Sequence, residues 1–304
     1  MYISFSGGKD STVLLDIVRQ DYSDAKAMFV DVPTQYPELR DFVKTFDNVD
    51  IIKPRINYIE VCKKYGFPLI SKEIAHKMSD WESAHKNGRE SYVDRQFDGT
   101  YKSKHGKKNK IDIQKWGFLR EAPFSISHMC CNVMKKNPAH KYYKSTGRVP
   151  ITAQMASESK LRTHNWLHHS CNGFDLPIPM SNPMSFWTEQ DVLLYIKSNN
   201  LPICSVYGDV ISDDEEWGQM DMQQWTGLDL FEIGNKPLHC TKCDRTGCVL
   251  CGFGAHLGDD KRYLRLKETH PGLYGLLDVC ENNGYTMRQA IEWVNEHGNL
   301  NIKL

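Results

Sequence analysis

The chain lacks any apolar run near the ~20 residues that a helix needs to cross a bilayer, and a quarter of its 304 positions are charged. No membrane-spanning helix is expected. It also lacks an excess of either charge. The 38 Lys and Arg balance 38 Asp and Glu, so no global field draws it onto nucleic acid or anionic lipid, and any such attraction must be local. No segment repeats and none is of low complexity, which excludes a solenoid. The opening MYISFSGGKDS places Gly, Lys and Asp where a secretory signal needs a basic start and an apolar core; a cytoplasmic protein is expected. Three common motifs are missing too. Without G-x-x-x-x-G-K-[ST], G-x-G-x-x-G or H-E-x-x-H, the ordinary P-loop, the dinucleotide fingerprint and a His-based zinc protease site are excluded.

What the sequence has instead is alternation. Short apolar runs at 2–6, 27–32 and 49–52 have the length of buried strands, and each is followed by apolar residues at helical spacing, at 11–19, 39–46 and 58–65. Strand–helix alternation implies a parallel sheet with right-handed crossovers and ligands beyond the carboxyl ends of the strands. Residues 71–115 read as polar text without periodicity, an insertion or mobile loop. Helical spacing resumes near 131–145, a strand is expected at 149–153, and Thr188 caps a helix ending near Asn199. Trp187, Leu193 and Tyr195 are assigned to the core. Two domains are expected: a nucleotide-binding α/β domain at 1–207, carrying the insertion, and a Cys-rich, mostly helical region at 208–304 with helices near 261–268 and 287–296.

The first strand runs directly into SGGKDST at 6–12 and then a helix. Gly7 and Gly8 let backbone N–H groups approach an anion at a helix N-terminus. Lys9 supplies a point charge, Ser6, Ser11 and Thr12 supply hydroxyls, and Asp10 can stand near a magnesium ion carrying phosphates. A Gly-Gly pair alone would read as a turn capping a helix; the whole string reads as a phosphate loop.

Ten cysteines in a reducing compartment point to metal or redox chemistry rather than disulfides. Cys240, Cys243, Cys248 and Cys251 form two C-x-x-C elements, a donor set for tetrahedral zinc or for an iron–sulfur cluster, and spacing alone does not choose. Cys130 and Cys131 are an adjacent pair far upstream. Cys62, Cys171, Cys204 and Cys280 stand alone and are read as small buried apolar residues. Lys102, Lys104, Lys107, Lys108 and Lys110, with Lys135, Lys136, Lys141, Lys144 and Arg148, concentrate positive charge that could meet nucleic acid or form a solvated face. Most of the twelve His are assigned to the surface or to satisfied core positions.

The string SGGKDST after an N-terminal strand resembles the PP-loop of the ATP pyrophosphatase superfamily. Within it, FVDVPTQYPELRDFV at 29–43, CCNVMKKNPAHKYYKSTGRVPITAQMASESKLR at 130–162 and NPMSFWTEQDVLLYIKSNNLPICSVY at 182–207 are similar to segments of the phosphoadenosine phosphosulfate reductase family. The likeness extends over about residues 1–253, with a gap at the polar insertion. It implies an adenine nucleotide alpha hydrolase-like (HUP-type) α/β fold, a parallel sheet with helices on both faces, and a Cys-rich helical C-terminal extension. It further implies ATP with Mg2+ at Ser4, Ser6, Gly7, Gly8, Lys9, Asp10, Ser11 and Thr12, with Lys9, Asp10 and Ser11 catalytic. Asp31, Ser159 and Arg162 are implied near the nucleotide, and Lys135 and Lys136 near phosphate or the acceptor.

Some relatives hold a four-iron cluster through a CC pair and a distant C-x-x-C, which Cys130-Cys131 with Cys248 and Cys251 resembles; Cys240 and Cys243 would then ligate or relay sulfur. Ala153 and Met155 stand where the family has Gly and Arg, and the chain ends GNLNIKL, without a Glu-Cys-Gly-Leu-His tail. The expectation is therefore cleavage of ATP to AMP and pyrophosphate, adenylating an acceptor for sulfur transfer, with tRNA or DNA and a sulfur donor such as a cysteine desulfurase as partners. The alternatives are a reductase of adenylyl sulfate or its 3′-phosphate, and a nucleotide-binding module without turnover.

Overall fold

In the structure, a computed structural model, residues 1–101, 113–212 and 237–304 are described. The lysine run at 102–110 and the acidic residues Asp213, Asp214, Glu215 and Glu216 lie outside them. By packing, the chain forms two compact units, each assembled from separated segments. Unit 1 comprises Met1–Asp31, Gln35–Ile52 and Ala139–Thr246; unit 2 comprises Val32–Thr34, Lys53–Pro138 and Gly247–Leu304. The two units interleave along the sequence, the segment at 53–138 grouping with the C-terminal residues.

Unit 1 contains a six-stranded sheet of β1 (Tyr2–Ser4), β2 (Ala27–Val30), β3 (Val49–Ile52), β4 (Pro150–Ile151), β5 (Asn172–Gly173) and β6 (Met180–Ser181). Their spatial order is β3-β2-β1-β4-β6-β5, and every pairing is parallel except that of β5 with β6. Side chains alternate across this sheet. Ile3, Phe5, Ala27 and Phe29 pack with Val13, Leu14 and Leu15 of α1 (Lys9–Asp21) and with Val192 and Ile196 of a later helix. On the opposite face Tyr2 and Met28 meet Tyr142 and Ala139 of the helix Asn137–Thr146. Helices therefore cover both faces, as expected of a buried parallel sheet. Each fully buried Leu or Phe contributes roughly 1.5–3 kcal/mol relative to exposure, so a one-residue slip of β1, which would exchange Ile3 for its polar neighbour, is strongly disfavoured.

The remaining elements of unit 1 place residues at the carboxyl ends of these strands. They are α2 (Pro37–Val43), α3 (Lys160–His169), α4 (Glu189–Ser198) and the antiparallel pair β7 (Val210–Ser212) and β8 (Leu238–Cys240). A capping box fixes the start of α4: the Thr188 hydroxyl accepts from the Asp191 N–H while the Asp191 carboxylate accepts from the Thr188 N–H. Leu193 is buried, and Trp187 and Tyr195 pack against the main cluster, as read from the sequence.

Unit 2 is mostly helical. The helix Tyr58–Tyr65 begins with a capping box between Asn57 and Glu60, and the strands Leu69–Ile70 and Gly252–Phe253 pair in parallel. The segment read as a structureless insertion is largely helical, with Lys72–Lys86 and Tyr92–Phe97 followed by a 3-10 turn at Gln114–Glu121. Its apolar stripe is too thin to see in sequence: Lys72–Lys86 buries only Ile74, Ala75 and Met78. Hydrogen bonds supplement the sparse apolar contacts, such as Trp81 Nε1 to Asp94 Oδ1 at 2.8 Å. The C-terminal helices Arg262–Thr269 and Met287–Gly298 lie near their expected positions. Buried Asn282 accepts from the Ser125 N–H and donates to the carbonyls of Cys62 and Lys63. Cys62 and Cys280 are buried, as expected of solitary cysteines, but they meet thiol to thiol.

Candidate functional site

The loop between β1 and α1 is shaped by its own side chains. Gly7 has φ +73°, and a Cβ there would lie 2.9 Å from Val43 Cγ2, so both conformation and space call for glycine. Ser11 ties the turn together: its hydroxyl donates to the Gly8 carbonyl at 2.9 Å and accepts from the Ser6 N–H at 3.1 Å. The Ser6 and Ser11 hydroxyls are 3.0 Å apart, and Thr12 Oγ1 donates to the Gly8 carbonyl. These bonds hold the loop in one shape at the start of a 13-residue helix, whose first amides and dipole favour an anion.

Lys9 is 4% exposed. Its ammonium donates to the Asp244 carbonyl at 2.7 Å, pairs with Glu189 Oε1 at 3.0 Å and lies 5.4 Å from the Tyr207 ring centre. Its backbone N–H donates to the Tyr207 hydroxyl at 3.1 Å. Asp10 Oδ1 is buried without a hydrogen-bond partner. Burial pushes the Asp10 carboxyl above its ordinary value, against the opposing pull of Lys9, Arg245 and Arg162. A carboxylate oxygen left without a donor beside a Gly-rich loop fits a hard cation such as Mg2+.

Of the other expected residues, Arg162 joins this site, acting electrostatically on Asp10 and pairing with Glu158. It also lines a cleft of about 90 Å³ with Gln154, Asn165, Trp166, His169 and Asn182. Ser159 is occupied locally, its hydroxyl accepting from the Arg162 N–H as the cap of α3. Asp31 is buried at the end of β2 and accepts from Arg40 Nε at 2.7 Å. Ser4 lies within β1, in register with Met28. Sequence reasoning missed Glu189, Arg40, Tyr207 and the segment 244–246. Glu189 follows the Thr188 cap, and a cap identifies a helix start without revealing what that end faces.

The cysteines divide between the units. Cys240 and Cys243 belong to unit 1 and are buried, and the Cys243 thiol donates to the Arg245 carbonyl. Cys130, Cys131, Cys248 and Cys251 belong to unit 2 and line one cavity together with Tyr58 and Lys135. Among the described residues no three His, Cys, Asp or Glu are arranged around a single metal ion. Four soft thiol donors nevertheless line this one cavity. The Cys131 thiol is pushed down to about 6, first by its hydrogen bond with Cys130 and then by Lys72, Lys135 and Lys136, while that same bond and burial push Cys130 up. Burial pushes Cys251 up to about 11. Burial acts to lower Lys135, but Cys248, Cys131 and Cys251 outweigh it and raise it.

The functional loop thus belongs to an α/β unit built on a six-stranded, mostly parallel sheet, with a Gly-rich loop directly after its first strand. The phosphoadenosine phosphosulfate reductase domain model matches residues 1–252, and the chain belongs to that family. Among solved structures it is similar to a phosphoadenylyl-sulfate reductase from Candida auris in a phosphate complex. Identity is 16%, covering 75% of this chain and 84% of that one, with a TM-score of 0.35. It is also similar to an FMN adenylyltransferase from Candida glabrata at 10% identity, covering 68% of this chain and 49% of that one, with a TM-score of 0.34. No curated protein matches the chain. Among the described residues no helix is long and apolar enough to cross a membrane.

Proposed function

We propose that the protein binds ATP at residues 6–12 and cleaves it between the α and β phosphates, adenylating an acceptor for replacement of an oxygen by sulfur. The observation that carries this reading is the complete loop: buried Lys9 beside the first amides of α1, with Asp10 presenting an unpartnered carboxylate oxygen. An acceptor oxygen attacks the α-phosphorus, the α–β bridging bond breaks, and its electron pair leaves on pyrophosphate. Lys9 and the loop amides stabilise charge developing on that leaving group, where preorganised donors act most strongly. Mg2+, held by Asp10, supplies further charge neutralisation when bound. Arg162, facing both Asp10 and the cleft, positions the acceptor in that cleft. A sulfur nucleophile then displaces AMP. Cys130, Cys131, Cys248 and Cys251 would hold a four-iron cluster, which supplies electron-transfer or sulfur-binding chemistry when bound. The acceptor class is tRNA or DNA, with a sulfur-donor protein as second partner.

The four-thiol cavity and the family membership favour a second reading, reduction of adenylyl sulfate or its 3′-phosphate to sulfite. One paired assay separates the two. Pyrophosphate released from ATP in the presence of the acceptor, with no sulfite formed from adenylyl sulfate and a dithiol, is the expected result. Dithiol-dependent sulfite without pyrophosphate would assign the second reading instead.

A further inference from the structure

The segment 240–246 of unit 1 lies across the Gly-rich loop as a strap, and its attachments are specific. At its base the Thr241 N–H donates to the Asp209 carbonyl and the Lys242 N–H to the Tyr207 carbonyl. At its far end the Asp244 carbonyl accepts from the Lys9 ammonium at 2.7 Å, and Thr246 Oγ1 lies 2.6 Å from the Tyr207 hydroxyl. A Cβ built on Gly8 would lie 3.3 Å from Thr246 Oγ1. Both neighbours of Arg245 are therefore seated on the loop or on the tyrosine beneath it, which fixes where the Arg245 backbone stands.

Lys9, Arg162 and Arg245 share this place with the carboxyls of Glu189, Glu158 and Asp10, and they are unequally paired. Lys9 is paired with Glu189, and Arg162 with Glu158. Arg245 is exposed, and its guanidinium makes no hydrogen bond or ion pair among the described residues. It nonetheless acts electrostatically on Asp10 and on Arg162. A guanidinium without a hydrogen-bond or ion-pair partner, on a strap whose residues on either side contact the buried Lys9 ammonium and the Tyr207 hydroxyl at a helix N-terminus, suits a multiply charged anion.

We propose that Arg245, carried by the strap 240–246, grips the outer phosphates of the nucleotide together with Lys9 and the loop amides, and so makes the site selective for a triphosphate over a monophosphate. This rests on the nucleotide reading given under Proposed function. In that reading the strap is part of the binding surface, and a ligand lacking the outer phosphates leaves Arg245 without its partner.

The test is the affinity of the full chain for α,β-methylene-ATP and for AMP, each with Mg2+, in wild type, Arg245→Ala and Arg245→Lys. Wild type is expected to bind both. Arg245→Ala should weaken α,β-methylene-ATP at least tenfold while changing AMP less than twofold, and Arg245→Lys should restore binding to within about fivefold of wild type, as a shared charge with poorer fork geometry implies. The Arg245 side chain is exposed, so an unchanged melting temperature is expected of both variants. Equal weakening of AMP and the analogue, or analogue binding by Arg245→Ala within twofold of wild type, would overturn the proposal and leave the nucleotide reading intact. Failure of wild type to bind the analogue at all would overturn both.

Discussion

Replacing Lys9 with Ala is expected to lower the rate of AMP formation by about 10²–10³-fold, the range found when one preorganised donor to a developing oxyanion is removed. Two features make this position sensitive. The ammonium is 4% exposed, so its charge acts with little solvent screening, and three contacts aim it: Glu189, the Asp244 carbonyl and the Tyr207 ring. Glu189 is half-exposed and regains water when its partner is lost, so the fold should survive the change. The effect should therefore fall on turnover with the melting temperature held within a few degrees. Lys9→Arg should rescue little, because a planar guanidinium does not fit a pocket closed by Tyr207 and the strap. Single-turnover AMP release alongside thermal unfolding checks this; a variant that turns over normally would remove Lys9 from the mechanism.

The second large effect concerns iron. Cys131→Ser and Cys248→Ser, made separately, are each expected to reduce iron and acid-labile sulfide in anaerobically purified protein at least fivefold, with loss of the visible absorbance of a cluster. Each removes one of four thiols around a shared cavity, and serine is a poor substitute for a soft thiolate donor. Cys171→Ser is the control: Cys171 belongs to unit 1, does not line the cavity, and should leave iron unchanged. Because a bound cluster stabilises the folded ligand set, the two cavity variants should also melt at lower temperature than wild type. Retention of full iron in both would show that these thiols hold no cluster, and retention of zinc in its place would identify the other metal.

Local signals were the legible ones. The alternation of short apolar runs with helical spacing located β3 at Val49–Ile52 and the helix Tyr58–Tyr65, and the Thr188 cap located Glu189–Ser198. These features are written within a few residues of where they act. SGGKDST likewise located the turn between β1 and α1. The helix Lys72–Lys86 was missed because three buried residues in fifteen leave no visible stripe. Its partners come from distant segments, as when Ser79 Oγ reaches the Ile126 carbonyl. The cysteines show both outcomes. The spacing of Cys240, Cys243, Cys248 and Cys251 suggests one local set, but the division between units falls at 246–247 and places Cys248 and Cys251 in the unit that holds Cys130 and Cys131. The spacing did not suggest that grouping; the resemblance to relatives with a CC pair and a distant C-x-x-C did. Arg245, Glu189 and Tyr207 carry no local motif, and their place at the loop follows from long-range packing.

Central to the account is that the loop after β1 directs cleavage to the inner phosphate linkage. ATP labelled at the α-phosphate, incubated with the protein, Mg2+ and candidate RNA or DNA acceptors, tests this most directly. Labelled AMP and a labelled adenylated acceptor, with pyrophosphate in equal amount and no ADP, is the predicted result. Labelled ADP with inorganic phosphate, or unchanged ATP under conditions where adenylyl sulfate yields sulfite, would contradict it.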